Sequence, residues 1–169
     1  MEDYRAMFER IREEHLAIRG NIRLVGDSVS DQEALNALTR ARADWIPGQA
    51  EILSEKQKRL QQTLSFLGEG LQNHFALEAK YLPPFLGELF MRALLLEHRE
   101  IGKQIDEARS MAADMKLEGL SREESLFKEA QIQQIVSSLC QAVEEHAAKE
   151  ETLLEMLEKG LQESGRITP

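Results

Sequence analysis

Apolar positions recur along the chain at alternating steps of four and three. The first run is Tyr4, Phe8, Ile11, His15, Ile18, Ile22, Val25, and the second is Leu60, Leu64, Leu67, Leu71, His74, Glu78, Tyr81. The third is Met91, Leu94, His98, Ile101, Ile105, Ala108, Ala112, Met115, and the fourth is Ile132, Val136, Leu139, Val143, His146, Glu150, Leu153, Leu157. Steps of three and four return to the same helix face, so each run predicts one amphipathic helix with a single seam. The predicted bounds are about 3–25, 49–81, 87–115 and 122–159. Gly26 suits the position just past the end of the first helix. Ser30 with Glu33 reads as a capping box and predicts a short extra helix over about 31–44, closed by Trp45-Ile46-Pro47-Gly48. Pro83-Pro84 stops the second long helix. Ser121 with Glu124 opens the last one, and Gly160 closes it. Long helices joined by tight turns predict an all-α, antiparallel up-down four-helix bundle forming a single domain over 1–169.

The seams are interrupted in a regular way. All four histidines of the chain fall on them, one per helix. The first and third helices carry a lone histidine, His15 and His98. The second and fourth carry His-x-x-x-Glu, His74 with Glu78 and His146 with Glu150. At roughly 1.5 Å rise per residue, all six lie within about 20 Å of one shared end of the bundle, so they can form a single layer. A buried ionised carboxylate without a partner costs several kcal/mol or takes up a proton. A lone seam histidine is ordinarily a core residue bonded to a backbone carbonyl, and a lone His-x-x-x-Glu is ordinarily a solvated pair. Six such residues at one depth point to metal ligation instead.

Imidazole nitrogen and carboxylate oxygen suit iron, zinc or manganese. Six donors exceed the set of one tetrahedral zinc. Two metals bridged by the glutamates fit, each taking two histidines and leaving a position for a small ligand. Without metal, both carboxylates are expected to have raised pKa values. Glu97, Glu145 and Glu151 adjoin these residues but leave the seam, and are expected to face solvent. Tyr81, one turn beyond Glu78, either supports the layer or packs in the core. The segment from Ser28 to Pro47, with Trp45, is expected to cover the ends of the second and fourth helices.

Composition narrows the functional classes. The chain has 169 residues and a formal charge of −9, which argues against non-specific nucleic-acid binding. No apolar run is long enough to span a membrane, and the N-terminus has no signal-peptide apolar stretch. A single cysteine, Cys140, cannot form an internal disulfide, reads as structural, and fits a reducing cytoplasmic setting. No Gly-rich phosphate loop or nucleophile–His–acid set is evident, and no protein partner is indicated.

EEHLAIR around His15, HFALEAKYLPPF around His74 and Glu78, LLLEHREI around His98, and HAAKEETLLEML around His146 and Glu150 resemble the hemerythrin-like (HHE cation-binding) domain family. The resemblance covers the four long helices and not the Ser28–Pro47 segment. It implies a four-helix bundle with a non-haem di-iron centre, two irons joined by an oxo or hydroxo bridge, ligated by His15, His74, Glu78, His98, His146 and Glu150. Oxygen-carrying members have a further histidine where this chain has Leu94, which puts reversible oxygen carriage in doubt. The cysteine-rich segment of the iron–sulfur repair members is absent from this sequence. The expected function is binding or sensing of O2, a related small molecule or iron. The alternatives are an enzyme reducing O2, peroxide or nitric oxide, and a structural bundle with no physiological metal.

Overall fold

The computed structural model describes residues 4–41, 49–115 and 120–165. They form four α-helices, α1 Tyr4–Ala41, α2 Gln49–Tyr81, α3 Pro83–Ala113 and α4 Arg122–Glu163. Each helix packs on two neighbours in the cyclic order α1, α2, α3, α4, and no diagonal pair packs together among the described residues. Neighbours are antiparallel. Asp31 pairs with Lys56 while Glu14 reaches His74, and Arg12 pairs with Glu158 while Arg19 pairs with Glu144. The predicted four-helix bundle is therefore the observed fold.

The seams form its core, in two apolar clusters. One holds Ile18, Val25, Leu60, Leu67, Ile105, Val136 and Leu139 among others. The other, near the α2–α3 turn, holds Phe8, Ile11, Leu82, Met91, Leu154 and Leu161, with Leu94 packed against it. Along α1, His15 lies between Ile11 and Ile18; along α3, His98 lies between Leu94 and Ile101. The six polar seam residues thus fill the gap between two apolar masses.

α1 differs from its predicted bounds. It does not end at Gly26, and no separate short helix begins at Asp31: one helix runs to Ala41. Gly26 is not in the left-handed region. A mid-helix glycine costs about 1 kcal/mol against alanine. Ser28 and Val29 are both buried beyond the expected stop, and burying one valine offsets that cost, at about 1.5–3 kcal/mol. The Ser28 hydroxyl bonds to the Leu24 carbonyl at 2.7 Å, so its polarity is satisfied inside the helix. α1 itself therefore packs along α2 where a separate cover was expected. Trp45 lies outside the described residues.

The other boundaries follow local chemistry. Pro83 stands at the start of α3, where its missing N–H breaks no helical bond, and the turn after Leu82 closes through Phe85 N to Leu82 O at 3.0 Å. At Gly87, φ is 70° and ψ 174°, so the first turn of α3 is set off from the rest. Helix geometry thus resumes where the third helix was predicted to begin. The capping box at Ser121 and Glu124 is present, with bonds of 2.8 and 3.2 Å. α4 passes through Gly160 because Leu161 is buried beyond it, and left-handed Gly165 follows its end at φ 68°. Late in α4 the buried face moves from the predicted Leu153 and Leu157 to Leu154 and Leu161. A strict seven-residue seam drifts by about 20° per heptad on a 3.6-residue helix.

Candidate metal centre

All six seam residues converge and are buried, His15 and Glu78 completely. Their donor atoms form two groups that share Glu78. One group is His15, His74, Glu78 and Glu150, and the other is Glu78, His98 and His146; each lies within 4.8 Å and could hold a metal ion. His15 Nε2 is 3.0 Å from both His74 Nε2 and Glu150 Oε2. Glu78 Oε1 abuts His74 Nε2, and Glu78 Oε2 lies 2.9 Å from His98 Nε2. His146 Nε2 is 3.7 Å from Glu150 Oε2.

Close approach is not matched by hydrogen bonding. Both Glu78 oxygens, both His98 nitrogens, His146 Nε2 and Glu150 Oε1 are buried without a hydrogen-bond partner. The short distances at Glu78 are proximity without alignment: the donor atoms face a common space rather than one another. Buried polar atoms left unpaired cost about 1–3 kcal/mol each, so a core rarely keeps several together. Cations in that space would satisfy all of the inward-facing atoms, and the donor set suits iron, zinc or manganese. The residues fit a metal centre.

Three imidazoles are anchored from outside. His74 Nδ1 meets Glu14 Oε2 at 3.1 Å, His146 Nδ1 meets Glu97 Oε2 at 3.1 Å, and His15 Nδ1 meets Glu151 Oε1 at 3.3 Å. A carboxylate at Nδ1 holds the proton on that nitrogen and turns the Nε2 lone pair inward, the orientation a metal ligand needs. Arg19 holds Glu151 at 2.5 and 3.2 Å and Glu144 at 2.9 Å. Lys149 holds Glu97 at 3.0 Å. The expectation that Glu97 and Glu151 simply face solvent is therefore corrected: each leaves the seam but reaches across to a neighbouring helix. Glu14 likewise lies one residue off the seam and reaches His74 on the neighbouring helix. Glu145 does face outward, paired with Gln141. His98 has no carboxylate at Nδ1; its ring stacks on Phe75 instead, centroids 3.8 Å apart and 9° from parallel.

The two central carboxylates also differ. Burial pushes Glu78 well above the usual carboxylate range, and the His74 contact only partly offsets it. Burial acts the same way on Glu150, but its contacts with His15, His74 and Glu78 outweigh it and hold Glu150 low. The expectation that both would be raised fails because one proton on Glu78 serves the pair. Burial opposes a charge on His74, yet Glu150, Glu78 and Glu14 together push its pKa up to about 10. Burial brings His98 down to about 4.

Tyr81 lines a surface cavity of about 340 Å³ with Tyr4, Arg10, Lys80 and Phe85. Cys140 is half-buried, with its pKa raised by burial. Among the described residues no helix is long and apolar enough to cross a membrane.

No family model, curated protein or solved structure matches the chain. Geometry and donor chemistry therefore carry the functional argument.

Proposed function

We propose that this protein is a hemerythrin-like, non-haem dinuclear iron protein that binds or senses O2, a related small molecule or iron, in the cytoplasm. The observation that carries the reading is the buried layer of four imidazoles and two carboxylates, in which both Glu78 oxygens, His98 Nε2, His146 Nε2 and Glu150 Oε1 lack hydrogen-bond partners. Glu78, common to both donor groups, would serve both metals, and Glu150 would complete the first pocket. Glu14, Glu97 and Glu151 hold three of the imidazoles with Nε2 inward. The flanking apolar clusters keep bulk water from the layer, which strengthens every charge interaction inside it. Bound iron would supply redox chemistry that no side chain in the layer has.

Metal analysis after anaerobic iron loading tests this: two irons per chain are expected, and a single zinc that iron does not displace rules it out. Turnover of peroxide or nitric oxide by the loaded protein would shift the reading from binding to reduction.

A further inference from the structure

The bundle carries an internal repeat, lone histidine then His-x-x-x-Glu, in α1–α2 and again in α3–α4. The outer anchors follow it only in part. Glu14, just before His15, reaches His74 on the next helix, and Glu97, just before His98, reaches His146 on the next helix. Glu151, just after Glu150, reaches back to His15. The repeat-related position just after Glu78 is Ala79, which is exposed and has no side chain to reach His98. Arg19, four residues after His15, holds Glu151; four residues after His98 stands Gly102. One anchor and the cation supporting it are missing at the same repeat position, and His98 Nδ1 is buried without a partner.

This falls on the pocket that already has fewer donors. The pocket of His15, His74, Glu78 and Glu150 has four protein donors and two anchored imidazoles; that of Glu78, His98 and His146 has three donors and one anchored imidazole. We infer that the two pockets are unequal: the first fills first, and the second fills later and empties first, so that occupancy of the second follows metal supply. This rests on the dinuclear reading above. Removing an outer-shell partner typically lowers metal affinity by about 10–100-fold, and a lost donor adds to that. Glu14, Glu151 and Glu97 are positioning residues in this scheme, and Ala79 sets the weakness of the second pocket.

Titration of the metal-free full-length chain with cobalt(II), read by calorimetry and by ligand-field absorption, tests the inference. Two binding events separated by at least about tenfold are expected. Ala79→Glu, at an exposed helical position, should tighten the second event about tenfold or more and leave the first unchanged. Glu151→Ala should loosen the first event and leave the second in place, and Glu151→Asp should restore part of the first. Two events of equal affinity, or an Ala79→Glu protein whose second event is unmoved, overturns the inequality while leaving a dinuclear centre standing. Failure of the unaltered chain to bind more than one cobalt defeats the dinuclear reading itself.

Discussion

Glu78 and Glu150 sit in the same layer, are almost equally buried, and belong to the same donor group. Replacing each with methionine should nevertheless change the metal-free protein in opposite directions. Methionine matches glutamate in length and nearly in volume, so neither change should open a cavity or overpack the core. In the metal-free protein Glu78 carries the proton, and neither of its oxygens has a hydrogen-bond partner. Removing that unsatisfied carboxyl should recover about 1–3 kcal/mol. His74 loses one neighbour but keeps Glu150 at 3.5 Å and Glu14 at 3.1 Å. Glu150 is the ionised member, lying 3.0 Å from His15 and supporting the charge on His74. Breaking a buried charged pair costs about 3–5 kcal/mol.

For a chain of this size, about 2–4 °C in Tm accompanies each kcal/mol. Metal-free Glu78→Met should therefore melt roughly 2–12 °C higher, and metal-free Glu150→Met roughly 6–20 °C lower. Both should lose at least one metal, and with it the stabilisation that metal binding confers by mass action. Circular-dichroism melts in a chelator, with metal analysis of loaded samples, read all four quantities. If the two variants destabilise the metal-free protein equally, the proton has been placed on the wrong carboxylate and the account of the layer's electrostatics fails.

Three further outcomes are expected. The His74 pKa is raised from 6.5 to about 10, so its contribution to metal-free stability is complete below pH 6.5 and is lost as pH rises towards 10, at about 1.4 kcal/mol per pH unit. The upward shift at Glu78 acts in the same sense, and denaturant unfolding across that window should show the fall; a rise would mean His74 is neutral. Gly26→Ala, with nothing within 4 Å of the added carbon, should stabilise the protein by about 1 kcal/mol; destabilisation would mean that α1 ends there after all. Leu94→His, one helical turn before His98, should place a nitrogen donor beside the second pocket and change the optical bands of the loaded protein. If the ring does not ligate, it costs about 1–3 kcal/mol as a buried polar group, and unchanged spectra in a folded, fully loaded variant would put Leu94 out of reach.

The bundle, and the convergence of His15, His74, Glu78, His98, His146 and Glu150 in its core, were legible in the sequence because both depend on periodicity along single helices. A histidine on an apolar seam must enter the core, and equal depth on antiparallel helices brings such residues together. The errors arose where burial overrode local punctuation. Gly26 and Gly160 resemble helix ends, yet buried side chains beyond each, Val29 and Leu161, carry the helices through. Glu14, Glu97 and Glu151 were lost for a different reason: each is one residue off its seam and acts on the neighbouring helix, so no single-helix pattern reports its partner. The signal that could have found two of them is the repeat itself. A glutamate stands immediately before each lone histidine, at 14 and at 97, on two helices that play the same part in the bundle. Duplication of an off-seam charge beside a duplicated ligand is hard to explain by solvation alone, and comparing the halves also exposes the position where they differ. Glu151 has its counterpart at Ala79. The inequality proposed for the two pockets would thus arise outside the six residues, at an alanine that offers no donor atom of its own.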